Sequence, residues 1–337
     1  MADKITLPID EGLKKLTFEM MKFASRLENV DLYSSPENIG IAGLSIYKAN
    51  KLMLSFEIRK ILHKHRYTDV FYIPAASVTF FSFIRAWLIA KQAPKGVVVH
   101  IINSQKRNLN EWQLNCAKHL GNIEIINFSH ISGEIYKAHN IRTQDLPCGV
   151  DINTFRPVLI KEKTCLRKKY HIPLGKKIIL HVGHVRKNRN ISILKRLQEN
   201  GFQVLIIGST SMAFEDDLAK ELSKNGVLIF SDYIPHVEEF YQLSDLYIFP
   251  VVLPDAAIEF PLSILEAMAC GLPVLTTRFG ALTEVFQETD CFGFFGNEDE
   301  MVLKAKEMVD INADQNREIV ESRFSWNNVF SKLFRTQ

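Results

Sequence analysis

The sequence predicts an α/β protein made of two doubly wound domains in succession, each a parallel sheet covered by helices on both faces. Three observations carry this. Short, predominantly apolar runs such as VVVHII (97–102), IEIINF (123–128) and FQVLII (202–207) alternate with helix-period segments, and such runs suit strands buried on both faces. At 337 residues the chain exceeds the size at which one core keeps growing. The alternation also restarts after a turn-rich stretch near the midpoint, LPCGVDINTFRP (146–157). The expected domains are 1–157 and 158–323, followed by a C-terminal helix over 324–337, with a cleft between the two domains as the default ligand site.

In order along the chain, ITLP (5–8) is a brief strand-like run, followed by Gly12 and an amphipathic helix with apolar Leu13, Leu16, Met20 and Phe23. Gly12 either eases the helix entry or lets backbone approach an anionic ligand beside Lys14 and Lys15. The run is short for a first core strand, which points to an incomplete N-terminus. A turn (34–40), a strand at IAGLSIY, a helix from about 48 to 65 and a strand at 69–74 follow. Residues 78–90, VTFFSFIRAWLIA, are apolar nearly all round but too short to span a bilayer, so they form a buried helix or a surface-dipping anchor. In the second half, strands are expected at 177–182, 202–207, 227–231, 246–251 and 274–277, with helices at 191–199, 214–224 and 237–243.

Composition excludes several classes. Hydrophobic residues make up 47% and charged residues 23%, as in ordinary globular proteins, and a net charge of +3 gives no footprint for nucleic acid. Five scattered cysteines without a C-x-x-C pair argue against a disulfide framework or zinc site and for reduced thiols in the cytoplasm. No secretory leader stands at the N-terminus. Lys60, Lys64 and Arg66, with the 78–90 helix, leave room for peripheral contact with the inner face of a membrane.

The candidate chemistry centres on DAAIEFPLSILEAMACGLPVLTT (255–277). Ser263 and Glu266 stand in capping-box relation, so a helix is expected to start at about Ser263 and to end at Gly271 and Pro273. A helix N-terminus offers free N–H groups and partial positive charge to a phosphate. After the first strand of the second half comes HVGHVRKNRN. There Gly183 permits close approach, and Arg186, Lys187 and Arg189 suit a diphosphate or form a solvated basic loop. A second glycine turn, at Gly208, ends the next strand. There is no G-x-G-x-x-G, no P-loop, no G-x-S-x-G and no Asp-x-Asp, so neither a metal nor a resident cofactor is expected.

In this order and spacing, LPCGVDINTFRP, HVGHVRKNRN, LSDLYIFPV, EFPLSILEAMACGLPVLTT, FGALTEV and the terminal FSW resemble the retaining glycosyltransferases of family 4. These have the GT-B fold of two Rossmann-like domains facing across a cleft. The resemblance covers the second half almost throughout, and the first mainly through the Gly12 turn and the boundary segment. It implies that Glu266 accepts ribose hydroxyls and that Arg189 neutralises the diphosphate, together with the backbone over Phe260, Pro261, Leu262, Ser263 and Ile264. It also implies that Glu259 holds the donor sugar and that the terminal helix packs back on the first domain. The chain departs from the pattern in places. Six residues rather than seven separate Glu259 from Glu266, Ile258 taking the expected place, and Cys148 stands where asparagine is common. At the end of a first-domain strand, where many members carry histidine, this chain has Ile102 and Asn103, with His100 two residues earlier as substitute catalyst or core histidine.

The expected function is metal-independent, retaining transfer of a hexose from a UDP- or GDP-sugar to a carbohydrate or lipid-linked acceptor. For Glu266 the capping and ligand roles both stand. A non-catalytic GT-B-like binding subunit and a GT-B-fold epimerase are the competing expectations.

Overall fold

The computed structural model describes the chain except residues 3–8, 10–11, 36–39, 49, 51, 66, 75–77, 105–108, 210–214 and 336–337, with backbone alone for 334–335. The strand expected at 5–8, most of the turn at 34–40, Arg66, and Thr210 and Ser211 of the second glycine turn lie outside the described residues. Two compact units result: Met1–Pro147 with Ile258–Phe260, and Cys148–Ala257 with Pro261–Gln337.

The first unit runs α1 (Gly12–Ala24), β1 (Leu32–Ser34), β2 (Leu44–Ile46), α2 (Phe56–Lys64), β3 (Asp69–Tyr72), α3 (Phe80–Gln92), β4 (Val98–Asn103), α4 (Glu111–Ala117), β5 (Ile123–Asn127), α5 (His130–Lys137) and β6 (Thr143–Asp145). Strands β3 to β6 pair in sequence order, all parallel. Strands β1 and β2 form a second parallel pair, and Ala2 bridges both Ser34 and Ile73. Helix α2 is shorter than its pattern predicts, because the Asn50 side chain accepts from the N–H groups of Leu52 and Leu54 and shapes a turn where a helix was expected. Ser55 then caps the helix by accepting from Ile58 N–H at 3.0 Å. Helix α3 buries Phe83, Ala86 and Ile89 on the sheet, which accounts for its apolar sequence. Among the described residues no helix is long and apolar enough to cross a membrane.

The second unit runs α6 (Ile160–Lys169), β7 (Ile178–Val182), α7 (Lys195–Glu199), β8 (Gln203–Ile207), α8 (Asp216–Lys224), β9 (Leu228–Phe230), α9 (Glu238–Leu243), β10 (Leu246–Phe249), α10 (Leu262–Ala269), β11 (Val274–Thr276), α11 (Leu282–Val285), β12 (Phe292–Phe294), α12 (Glu298–Met308), α13 (Asp314–Arg323) and α14 (Trp326–Arg335). Its six parallel strands lie in the order β12-β11-β10-β7-β8-β9. Numbered within the unit this is 3-2-1-4-5-6 read from the other edge; the order in which strands are added reverses between the parallel neighbours β7 and β10, the place where such sheets open a crevice at their carboxyl ends.

The units divide at 147/148 rather than 157/158, and the reason is local bonding. Val150 N–H donates to Phe324 O at 2.8 Å, and the Arg317 guanidinium donates to Phe155 O and Ala269 O at 2.7 Å each and to Ile152 O at 3.1 Å. Residues 148–157 are thereby tied to the C-terminal helices, and α14 belongs to the same unit. Trp326 lies against Gly149, where a Cβ would stand 2.3 Å from its ring. Gly149→Ala is expected to lower the urea midpoint of the second unit, by about 1–3 kcal/mol in stability. Trp326→Leu in the same background should recover part of the loss, and an unchanged midpoint in Gly149→Ala would contradict this packing.

Candidate functional site

At the carboxyl end of β7 the chain turns at Gly183, and the turn is built around the Arg189 side chain. A Cβ on residue 183 would lie 2.9 Å from Arg189 Nη1 and 3.2 Å from His181 Nε2, so only glycine lets the guanidinium lie here. Asn190 adopts the left-handed conformation (φ 58°) and donates its side-chain amide to Pro250 O at 3.1 Å, joining this turn to the end of β10. His181 is fully buried. Its Nδ1 lies 3.0 Å from Ile248 O, and a carbonyl only accepts, so Nδ1 carries the proton. Burial, helped by the Arg189 charge and opposed by the Ile248 bond, brings this imidazole down to about 3. A neutral ring thus sits beside the guanidinium.

Across the strand reversal stands α10. It begins at Leu262 with Pro261 in the cap position and no side-chain cap, so the Ser263–Glu266 capping box does not form. The proline ring fixes φ at −65° and starts the helix without one. Glu266 points into the unit instead, 3% exposed, where Tyr241 Oη donates to its Oε2 at 2.8 Å. Burial and the neighbouring carboxylate hold the Tyr241 phenol far above its usual range, which keeps it a donor. Tyr247 is buried next to the Ser263 hydroxyl, and its phenol too is raised by burial. Gly208 ends β8 on the same sheet edge, its N–H donating to Phe230 O at 2.8 Å. Arg186 turns to Glu215, 3.7 Å away. Gly183, Arg189 and His181 meet at this strand reversal, Tyr241 holds Glu266, and Tyr247, beside Ser263, feels the charges of both Glu266 and Arg189.

In the first unit, Glu259 is 7% exposed and lies against the first turn of α5. Ser132 Oγ is 2.7 and 2.9 Å from its two carboxylate oxygens, and Glu259 N–H donates to Ser104 O at 3.1 Å. Phe260 is fully buried beside it in sequence. Ile258 meets Gly12 at the start of α1, 3.6 Å from where a Cβ would be. His100 is corrected to a structural role. Its Nε2 lies 2.7 Å from Asp69 and its Nδ1 2.9 Å from Glu124, its ring stacks on Phe71 at 4.7 Å, and the two carboxylates raise its pKa against the opposing pull of burial. With both nitrogens engaged by carboxylates it has no lone pair to offer as a base. At the end of β4, Asn103 Nδ2 donates to Asn127 Oδ1 at 2.9 Å.

Sequence reasoning missed Tyr241, Ser132 and His181. Tyr241 lies on a helix 25 residues before its partner and Ser132 lies 127 residues before Glu259, separations at which no local pattern links them. His181 alone left a trace, as a polar residue inside an apolar strand next to Gly183. Among the described residues no three His, Cys, Asp or Glu side chains converge so as to hold a metal ion.

Comparison with known proteins adds the following. Residues 162–322 match the family model of glycosyl transferases group 1. The chain is 30% identical over 136 residues to N-acetyl-alpha-D-glucosaminyl L-malate synthase of Bacillus anthracis, 39% of this chain and 35% of that protein. It is 31% identical over 171 residues to D-inositol 3-phosphate glycosyltransferase of Corynebacterium urealyticum, 46% of this chain and 39% of that protein. These matches span little more than a third of either relative. The crystal structure of Anabaena Alr3699/HepE in complex with UDP superposes with a TM-score of 0.76 at 16% identity, covering 99% of this chain and 98% of that one.

The buried His181 makes stability depend on pH with a definite sign. The unfolded chain takes up a proton here below about 6.5 and the folded chain only below about 3. Acidification through that window therefore favours unfolding, by up to about 1.4 kcal/mol per pH unit. His181→Gln lacks this term. Between pH 6 and about pH 4.5 the urea midpoint of the wild type should fall faster than that of His181→Gln, and parallel curves would rule out a neutral buried imidazole.

Proposed function

Because residues 162–322 match the family model of glycosyl transferases group 1 and the chain has the GT-B fold, we propose that it moves a hexose from a UDP- or GDP-sugar to a carbohydrate or lipid-linked acceptor with retention of configuration. The observation that carries the reading is Glu266. It is a carboxylate buried at the strand reversal of a 3-2-1-4-5-6 sheet, fixed by Tyr241 and grouped with the α10 N-terminus and Arg189. A carboxylate suits the vicinal hydroxyls of a ribose, and the free N–H groups of Leu262 and Ser263 with the Arg189 guanidinium suit a diphosphate. In water these groups would be worth little; in a dry crevice they stabilise the charge that builds on the departing diphosphate. The reacting carbon then gains oxocarbenium character, a state shared with glycoside hydrolysis. The acceptor attacks on the face the diphosphate leaves, and a leaving phosphate oxygen takes its proton.

Glu259 is assigned to the hydroxyls of the donor sugar, its carboxylate oriented by Ser132. Gly183 and Gly208 let backbone approach the nucleotide at the sheet edge, and Gly12 does the same at the start of α1. Arg189 and the helix terminus carry the diphosphate charge, so the reading assigns no metal and no resident cofactor. Solved relatives support a nucleotide-sugar donor: Anabaena Alr3699/HepE was crystallised with UDP-glucose as well as UDP. The curated relatives' names, glucosaminyl and inositol-phosphate transferases, support a hydroxylated acceptor.

The test is transfer and donor hydrolysis against a panel of UDP- and GDP-sugars. Glu266→Gln and Arg189→Ala should each lower turnover at least about 100-fold, the scale of a lost charge-assisted contact in the transition state. Tyr241→Phe should cost about 10-fold by loosening Glu266. Excess EDTA should leave wild-type turnover unchanged. Full activity in both Glu266→Gln and Arg189→Ala would sink the assignment, whereas nucleotide affinity without turnover would favour a binding subunit.

A further inference from the structure

We propose that the first unit docks on an anionic lipid bilayer through the apolar tip Leu52, Leu54 and Phe56 and the cations that flank it on α2. This surface belongs to the first unit alone and is independent of the transferase reading. The apolar segment 78–90 does not form it, because α3 turns Phe83, Ala86 and Ile89 into the core. Apolar groups face water instead at the entry to α2. Phe56 is 90% exposed, the highest value for a large apolar side chain among the described residues, and Leu52 and Leu54 are 40% exposed each.

Side-chain bonds hold this tip outward. The N–H groups of Leu52 and Leu54 both donate to Asn50 Oδ1, at 3.0 and 2.9 Å, so the two residues stand side by side. Between them Met53 turns inward, 4% exposed, its carbonyl receiving Gln92 Nε2 at 2.9 Å and its sulfur lying 3.7 Å from the buried Tyr47 hydroxyl. Ser55, extended at φ −158° and ψ 151°, caps α2 and places Leu54 and Phe56 on the same side of the chain. One apolar group in water is ordinary. Three on a single braced turn make a projection that water disfavours and an acyl phase accepts.

The helix behind the tip supplies the charge. Ile58 and Leu62 face the core, so helical spacing puts Phe56, Arg59, Lys60 and Lys64 on the outer stripe, where all four are exposed. Glu57 accepts from Lys48 N–H at 2.9 Å, which draws Lys48 to the first turn of the helix. Among the described residues Lys48, Arg59, Lys60 and Lys64 have no carboxylate partner. An apolar projection beside unpaired cations matches the interface of an anionic bilayer: leucine and phenylalanine enter the boundary between headgroups and acyl chains, while lysine and arginine reach the lipid phosphates. A second copy fits poorly, because a two-fold axis through this patch would set the cations of one chain against those of the other. Among the described residues no helix could span the bilayer, so the contact is peripheral.

The experiment sediments the full chain with vesicles of pure phosphatidylcholine and with vesicles of equal parts phosphatidylcholine and phosphatidylglycerol. Wild type is expected to bind the mixed vesicles at least about 10-fold more tightly than the neutral ones. Salt should release it as the concentration rises from about 0.1 M to about 1 M and the screening length falls from about 10 Å to about 3 Å. The double variant Leu54→Ser, Phe56→Ser should weaken binding to the mixed vesicles at least about 10-fold by removing the inserted groups. Lys60→Glu with Lys64→Glu should weaken it at least as much, since each cation near an anionic surface is worth about fivefold. All four positions are exposed, so the urea midpoints of both double variants should stay near that of wild type. Equal binding to the two vesicles, binding to neither, or binding that neither double variant weakens would overturn the proposal. A dimer in sedimentation equilibrium that Leu54→Ser, Phe56→Ser dissolves, with the vesicles left unbound, would overturn it in favour of a second copy.

Discussion

A carboxylate buried at the strand reversal of the second sheet is the constraint around which that half of the molecule is arranged. Glu266 is 3% exposed, and an ionised group removed from water is costly unless hydrogen bonds and nearby dipoles replace its hydration. Tyr241 supplies a donor whose own proton is held by burial, and the carboxylate lies in a short helix whose N-terminus carries partial positive charge. The neighbouring imidazole is kept neutral. A charged His181 would stand beside the Arg189 guanidinium, two like charges in a low-dielectric pocket. Net positive charge is thus left to Arg189 and the helix end.

The two units solve the same problem of a buried acid by different means. In the first, Glu259 depends on a serine hydroxyl in the opening turn of α5 and on a backbone carbonyl that receives its own N–H. His100 is balanced between Asp69 and Glu124, a charge-compensated group that fastens β3, β4 and β5 together. That compensation favours the charged ring, which lacks the free lone pair a general base needs. A histidine on an otherwise apolar strand reads identically in sequence whether it is a base or a tie, and only the residues opposite it on neighbouring strands decide.

This difference between local and distant information accounts for what the sequence disclosed. Strands such as 97–102 and 202–207 are legible because short, predominantly apolar runs between helix-period segments have one stable use, and Gly183 because a glycine before three cations needs a reason. The boundary at 147/148 was not legible. LPCGVDINTFRP has the composition of a linker, yet Arg317, some 160 residues later, donates to the carbonyls of Ile152 and Phe155 and makes it part of the second unit. Likewise, the spacing of Ser263 and Glu266 fits a capping box, and the outcome turns on Pro261, which can start a helix unaided, and on Tyr241, which offers Glu266 a better partner inside.

The same logic separates what the two halves can vary. In the second unit, Gly183, Arg189 and His181 touch or electrostatically constrain one another, so a change at one alters the space or charge of the rest. Such a cluster tolerates little drift, and it lies within the stretch that matches the family model. In the first unit, Phe81, Trp112 and Ile131 are the second residues of separate helices and face water, each free to change without disturbing the core behind it. Packing alone then makes the clustered residues the less replaceable and the exposed ones the more replaceable.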